Sequence, residues 1–159
     1  MKGVILTFLL FFFACDPGTI DIAGEVISVA DGDTMTILTV SGERIKIRLE
    51  GMDAPERGQD YGTKSRQYLN DLCYGKIVTV KSRGEDQYGR TLGVVYLGDL
   101  NINQEMVRNG LAWYYDYFVY DPKLDSLDQS ARSQKLNIWS VKNPIPPYKY
   151  RKEKREKNR

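Results

Sequence analysis

Hydrophobic and polar residues alternate with a period of two through much of the first half of the chain, which is typical of strands with one buried face. β-Branched residues are frequent in these segments, and short polar linkers containing glycine separate the first three. The pattern predicts five strands, at residues 25–29, 34–40, 44–49, 77–80 and 92–96. Five strands interrupted after the third indicate a small closed barrel.

Helical periodicity appears between the third and fourth strands and returns after the fifth. The first helix is predicted at residues 62–74, and the second at 102–109, where Gly110 provides the C-cap. A third helix is expected to begin with Asp121 as N-cap and Pro122 at the first helical position. The fold class is therefore α+β, mainly β, with helices that cover the barrel.

Residues 1–15 form a segment of their own. Nine of the ten residues at 4–13 are apolar, and Lys2 precedes them. Ten helical residues rise only about 15 Å, half of a hydrocarbon core of roughly 30 Å, so this segment is typical of a secretion signal. Its end, Ala14-Cys15, resembles the lipobox of bacterial lipoproteins. We expect Cys15 to carry a lipid that anchors an exported protein to a membrane of the cell envelope; plain secretion is the alternative.

A domain at residues 20–141 is expected to end where a Pro-rich and then basic tail begins, at residues 142–159. Seven basic and two acidic residues fall within 149–159. Such a tail can contact phosphates or an anionic membrane surface, or it can be a solvated, frayed terminus.

Composition narrows the possible chemistry. The 159 residues leave room for one domain of ordinary size, and the complete absence of histidine excludes Ser-His and Cys-His nucleophile pairs and His-ligated zinc. If Cys15 is lipidated, Cys73 has no disulfide partner within the mature chain, and we expect it to be a small buried hydrophobic residue. Any catalysis must then depend on carboxylates, arginine, lysine, tyrosine or a metal.

Charged residues concentrate in three loop or strand-end clusters, at residues 31–34, 48–56 and 86–90. Each cluster alone is also a common turn sequence. Clustered carboxylates repel one another unless a cation or a proton intervenes, and hard divalent cations prefer oxygen ligands. The planar guanidinium of arginine matches a phosphate group and stabilises charge on phosphoryl oxygens. Together the clusters predict a site for a metal and a phosphate.

Five motifs, in this order, resemble the staphylococcal nuclease, or thermonuclease, family of calcium-dependent nucleases. The resemblance covers residues 22–140 and implies a five-stranded OB-type barrel with three helices. The motifs are Asp-Gly-Asp-Thr at 31–34, Arg-Leu at 48–49 followed by Asp-Ala-Pro-Glu at 53–56, Asp at 86 with Tyr-Gly-Arg at 88–90, Val-Arg-Asn-Gly-Leu-Ala at 107–112, and Lys-Leu-Asn-Ile-Trp-Ser at 135–140.

The resemblance also implies roles for acidic residues. Asp33 and Asp53 would ligate Ca²⁺ together with the main-chain carbonyl of Ala54, and Glu56 would be the general base. Asp31 corresponds to an acid near the metal, and a turn-forming role for it is equally consistent with the sequence.

For the substrate, the resemblance implies that Arg48 and Arg90 bind the scissile phosphate and stabilise the transition state, and that Tyr88 contacts the nucleic acid. One tyrosine within residues 114–117 would stack on a base. The expected enzyme is a monomeric endonuclease or exonuclease that hydrolyses DNA and RNA, with single strands preferred, to 3′-phosphate products. The alternative is a non-catalytic OB-fold module that binds nucleic acid.

Overall fold

The alternating segments form strands that close into a barrel in the computed structural model, which describes residues 18–116 and 120–158. In this part of the chain the strands are β1 (Ile20–Asp31), β2 (Thr34–Thr39), β3 (Arg44–Leu49), β4 (Met52–Asp53), β5 (Ile77–Glu85), β6 (Thr91–Leu97), β7 (Leu100–Asn101) and β8 (Trp113–Tyr114). The main sheet has the order β3-β2-β1-β5-β6-β7, with antiparallel neighbours. A parallel pairing of β3 with β6 closes the barrel, and β4 and β8 form a separate two-stranded sheet.

Side chains that alternate along the five long strands fill the barrel interior. Removing such apolar surface from water is the main driving force for folding, at roughly 25 cal/mol per Å². The inward-facing strand residues are Val26, Val29, Met35, Ile37, Ile47, Leu49, Val78, Val80 and Val95, none of them more than 5% exposed.

Helices cover the barrel and its ends. The helices of the described residues are α1 (Gly62–Cys73), α2 (Ile102–Arg108), α3 (Pro122–Ser133) and α4 (Pro147–Lys157), with a 3₁₀ turn at Asn137–Ser140. Asp121 is the N-cap of α3 and accepts hydrogen bonds from the backbone N–H groups of Lys123 and Leu124. The mainly β barrel with covering helices confirms the predicted fold class.

Several parts of this architecture go beyond the prediction. The short strands β4, β7 and β8 were not among the five predicted strands. β1 and β5 are much longer than the predicted segments, and the basic tail, for which a frayed terminus was one alternative, forms α4 instead. Cys73 is fully buried, as expected, and burial raises the pKa of its thiol to about 11. None of the described helices is long and apolar enough to cross a membrane. The predicted signal segment and Cys15 lie outside the described residues.

One buried polar side chain ties α2 to the barrel. The side-chain oxygen of Asn103 accepts a hydrogen bond from the Val95 backbone N–H at 2.9 Å, and its amide nitrogen donates to the carbonyls of Glu50 at 2.9 Å and Gly93 at 3.3 Å. Asn103 is only 1% exposed. It thereby fixes the chain just after β3, two residues before β4.

We predict that replacing Asn103 with leucine lowers the free energy of unfolding by about 2–4 kcal/mol, because the Val95 N–H and the Glu50 carbonyl lose buried partners. Urea unfolding followed by circular dichroism measures the change. Gln129→Leu, at an exposed position of α3, is the control and should stay within about 0.5 kcal/mol of the parent. A leucine variant as stable as the parent would contradict this role.

Candidate active site

Two carboxylates are buried at one end of the barrel. Asp33, in the turn between β1 and β2, is 5% exposed, and Asp53, in β4, is 2% exposed. A carboxylate removed from water must be paired or hydrogen-bonded, or it takes up a proton. The partners of these two residues therefore determine what this end of the barrel can do.

Arg48 spans the two buried aspartates. One terminal nitrogen of its guanidinium pairs with Asp33 Oδ2, and the other lies 3.0 Å from Asp53 Oδ1. The pairing follows from the sheet register, because Thr34 lies opposite Arg48 and Asp33 directly precedes Thr34. Burial lowers the pKa of Arg48, although the charge of Asp53 acts in the opposite direction. The guanidinium remains a permanent cation between two anions.

Neighbouring polar groups fix the orientation of Asp33. Its Oδ2 accepts a hydrogen bond from the Ala54 backbone N–H at 2.7 Å, and its Oδ1 accepts one from the Thr34 hydroxyl at 3.1 Å. Asp31 Oδ1 accepts from the Asp33 backbone N–H at 3.2 Å, which supports a turn-forming role for Asp31. Gly32 is required by close packing, since a Cβ there would collide with the side chains of Ser65 and Ala54.

The second aspartate is held by the small sheet. β4 pairs with β8 so that Asp53 lies opposite Trp113, whose ring makes an edge-to-face contact with Trp139, with centroids 5.1 Å apart. Glu56 follows three residues later on the same connection toward α1, and its side chain is about one-third exposed.

A residue of the tail completes this group. Arg151, in α4, donates from Nη1 to Asp53 Oδ1 at 3.1 Å and to Glu56 Oε1 at 2.6 Å, and from Nη2 to Asp53 Oδ2 at 3.0 Å. Burial lowers its pKa, but the bonds to Asp53 and Glu56 outweigh burial, and the net pKa of Arg151 is raised. Sequence analysis did not identify Arg151 as part of the site; the only sequence signal was the general basicity of the tail.

Arg90 reaches the same end of the barrel from the turn before β6. Its Nε donates to Asp86 Oδ2 at 2.7 Å, and its Nη1 lies 3.5 Å from the Thr34 hydroxyl. Asp86 Oδ1 also accepts from the backbone N–H groups of Tyr88 and Arg90, so this carboxylate orders the whole turn. Burial alone would raise the pKa of Asp86, but the hydrogen bonds from Arg90 and Tyr88 lower it overall.

The structure thus brings Asp33, Arg48, Asp53, Ala54 and Glu56 into one connected group. Arg90 adjoins this group through Thr34. Tyr88 is 73% exposed at the rim, with its ring 5.6 Å from the Arg90 guanidinium carbon.

Tyr114 is one of the tyrosines expected to include a base-stacking residue. Its hydroxyl accepts a hydrogen bond from the Asp121 backbone N–H at 2.7 Å, and its ring packs edge-to-face with Tyr120. Tyr115 is partly exposed beside it, at 36%. Tyr117 lies outside the described residues. Tyr114 is therefore tied to the start of α3.

The donor set at this end of the barrel suits a hard cation, because every available ligand is oxygen. Asp33 and Asp53 approach closely enough to share the Arg48 guanidinium. Within residues 18–116 and 120–158, no three or more acidic, cysteine or histidine side chains gather as a metal site. A cation here would thus be held by two carboxylates, with the Ala54 carbonyl and water as further oxygen ligands. The residues fit calcium on this chemistry.

Comparison with known proteins identifies relatives along most of the chain. A family model described as "Staphylococcal nuclease homologue" matches residues 46–141. A protein of Haemophilus influenzae named "Uncharacterized endonuclease" is 39% identical over 97% of this chain and 88% of its own length. One of the same name from Escherichia coli O157:H7 is 44% identical over 92% of this chain and 95% of its own length. A Shigella flexneri protein named "Micrococcal nuclease" is 41% identical over 86% of this chain and 84% of its own length.

We predict that Asp86→Asn destabilises the protein at neutral pH and that the difference disappears in acid. A carboxyl whose folded pKa is lowered contributes stability above its unfolded pKa, about 4, and loses it as the pH falls through the folded pKa. Urea unfolding between pH 3 and pH 7 measures the difference. Asp99→Asn, in an exposed turn, is the control. A deficit of equal size at every pH would show that the Asp86 charge is not responsible.

Proposed function

We propose that this chain, which belongs to the staphylococcal nuclease family and is a nuclease, requires calcium and hydrolyses phosphodiester bonds of DNA and RNA to 3′-phosphate products. The observation that carries the proposal is the joining of Asp33 and Asp53 by Arg48, with Glu56 and Arg90 at the same end of the barrel. Carboxylates for a cation and guanidinium groups for a phosphate thus lie side by side.

Two arginines are suited to bind the scissile phosphate. The Arg48 side chain is 15% exposed and the Arg90 side chain 25% exposed, and ion pairs fix the position of each guanidinium group. Asp33 and Asp53 hold Arg48, and Asp86 holds Arg90. Positioned donors of this kind stabilise the negative charge that grows on phosphoryl oxygens during attack.

Glu56 is suited to take the proton from the attacking water. It is the most exposed carboxylate of the connected group and lies where water can reach it. In the proposed reaction the water oxygen forms a bond to phosphorus, and its proton passes to Glu56. The bond from phosphorus to the 5′ oxygen breaks, and the leaving oxygen takes a proton from solvent water to become a hydroxyl. The phosphate stays on the 3′ side. Glu56 must first be released from Arg151, which holds its Oε1.

Calcium, when bound, would polarise a phosphoryl oxygen and offset negative charge. Asp33, Asp53 and the Ala54 carbonyl would hold it. This donor set contains no nitrogen or sulfur, which favours calcium over zinc or copper.

We also propose a preference for single strands. Tyr88 exposes most of its ring beside Arg90, and an exposed aromatic ring next to a phosphate-binding arginine can stack on an unpaired base. Bases in a duplex are already stacked and paired, so they offer no free face to such a ring.

For location we propose an exported lipoprotein of the cell envelope, anchored through Cys15. Support comes from the apolar run at residues 4–13 and the Ala14-Cys15 sequence that ends it. Two or more acyl chains hold a protein stably on a membrane, whereas a single chain binds only marginally. Plain secretion remains the alternative outcome.

We predict that Arg48→Lys, Arg90→Lys and Glu56→Gln each reduce turnover by about a hundredfold, since each removes a group aligned with the reacting phosphate or water. Hydrolysis of a labelled single-stranded DNA, with calcium and with excess chelator, measures this. Chelator should abolish activity, and the rate should rise with pH. Arg44→Lys, at the opposite end of β3 from Arg48, and Glu43→Gln, in the turn before β3, are exposed control variants. Full activity in excess chelator would refute the calcium requirement. If the turnover of each variant stays within about threefold of the parent, a difference of roughly 0.7 kcal/mol in the activation barrier, the assigned roles are refuted.

We predict that Cys15→Ser moves the protein from the membrane fraction, because serine cannot accept the acyl chains. Fractionation and mass spectrometry of the mature N-terminus measure this. Cys73→Ser is the matched control: it changes the other cysteine, keeps a donor toward the Leu69 carbonyl, and should leave the distribution unchanged. If the parent protein is found wholly in the medium with an N-terminus beyond Cys15, secretion without an anchor is the correct description.

A further inference from the structure

Helix α4 docks against the candidate active site. Its first residue, Pro147, is buried, and the side-chain amide of Gln59, in the loop after Glu56, donates to the Ile145 carbonyl just before the helix. Most of the remaining α4 residues are exposed. The helix is therefore fixed at its N-terminal end, and Arg151, one turn into it, points back toward the barrel.

Arg151 differs from the other basic residues of α4 in its contacts. Lys152, the next residue, is exposed and has no hydrogen bond or ion pair in the structure, whereas Arg151 makes three bonds to two carboxylates, at 2.6 to 3.1 Å. Charge-assisted bonds from a planar guanidinium are among the stronger polar interactions in proteins. The helix thus places the Arg151 guanidinium beside Asp53 and Glu56.

These contacts use the oxygens that a metal would need. Asp53 Oδ1 is shared by Arg48 and Arg151, and Asp53 Oδ2 is bonded to Arg151. Two guanidinium groups next to one carboxylate also repel any further cation. A divalent cation can bind Asp53 fully only if one arginine leaves. Arg151 is the one free to leave, because it comes from a helix that is mostly exposed beyond its first residue and its side chain is 41% exposed, against 15% for Arg48.

We propose that Arg151 is a built-in counter-ion that competes with the divalent cation for Asp53 and keeps Glu56 blocked until that cation binds. In this arrangement α4 sets the calcium concentration at which the site becomes competent. The inference rests on the proposed calcium dependence of the enzyme, and it adds a residue of the tail to the site.

The test compares calcium affinity of Arg151→Gln and Lys152→Gln, two variants with the same change of charge on adjacent residues. Isothermal titration of the metal-free mature protein with CaCl₂ measures binding without any turnover. Removing the competing bonds in Arg151→Gln should tighten calcium binding about tenfold or more. Lys152→Gln should bind like the parent, and Arg151→Lys, which keeps the charge without the planar fork, should fall between.

Hydrogen exchange supplies a second readout on the parent protein. Calcium should accelerate amide exchange in α4, because the cation displaces the Arg151 side chain that holds the helix to the barrel. The same exchange should already be fast in metal-free Arg151→Gln. Thermal unfolding of each variant checks that the barrel is intact.

The outcomes separate this inference from the proposed function. If the parent binds calcium and Arg151→Gln binds no tighter, Arg151 does not compete and the inference is overturned while calcium dependence stands. If Arg151→Gln binds more weakly, Arg151 organises the carboxylates for the metal, which also overturns it. If neither the parent nor any variant binds calcium, the calcium requirement itself fails, and the inference fails with it.

Discussion

Burial of Asp33 and Asp53 at the end of the barrel is the constraint on which the site depends. Each carboxylate needs compensation, and breaking a buried ion pair by removing one partner costs about 3–5 kcal/mol. Arg48 supplies that compensation to both residues at once, and Arg151 adds a second cation at Asp53. The same carboxylates that require these arginines are the ones proposed to hold a divalent cation. The stability of the fold and the proposed chemistry of the site thus depend on the same ion pairs.

The barrel provides the accuracy that this arrangement needs. Pairing of β2 with β3 sets Asp33 beside Arg48, and pairing of β4 with β8 sets Asp53 on the other side. Asn103 fixes the short connection between β3 and β4 through the Glu50 carbonyl. Asp33, Arg48, Asp53 and Arg90 are therefore attached to strands or to turns ordered by hydrogen bonds, and little of the candidate site depends on a long free loop.

Sequence patterns predicted the barrel well because its strands bury alternate residues, and that produces a clear period of two. They missed α4 because only Pro147 of that helix is buried, so no apolar stripe marks it. The acidic motif at residues 53–56 could be identified locally, but the partnership of Arg151 with Asp53 joins residues far apart in sequence and leaves no local signal. Gly32 is a second example of a long-range constraint with no local signal. The turn sequence explains a glycine there, but the close approach of Ser65 from a distant part of the chain is evident only in the folded structure.

The parallel pairing of β3 with β6 has a consequence for the order of events during folding. It places Ile47 opposite Thr91 and Arg48 opposite Leu92, and so brings Arg48 and Arg90 to the same end of the barrel only when the barrel closes. Contacts between distant parts of a chain form late in folding, because the chain loses the entropy of closing the loop before those contacts stabilise the fold. A nascent or partly folded chain can form antiparallel strand pairs and helices and still have no assembled site. A nuclease built in this way acquires its assembled site only when folding of the barrel is complete.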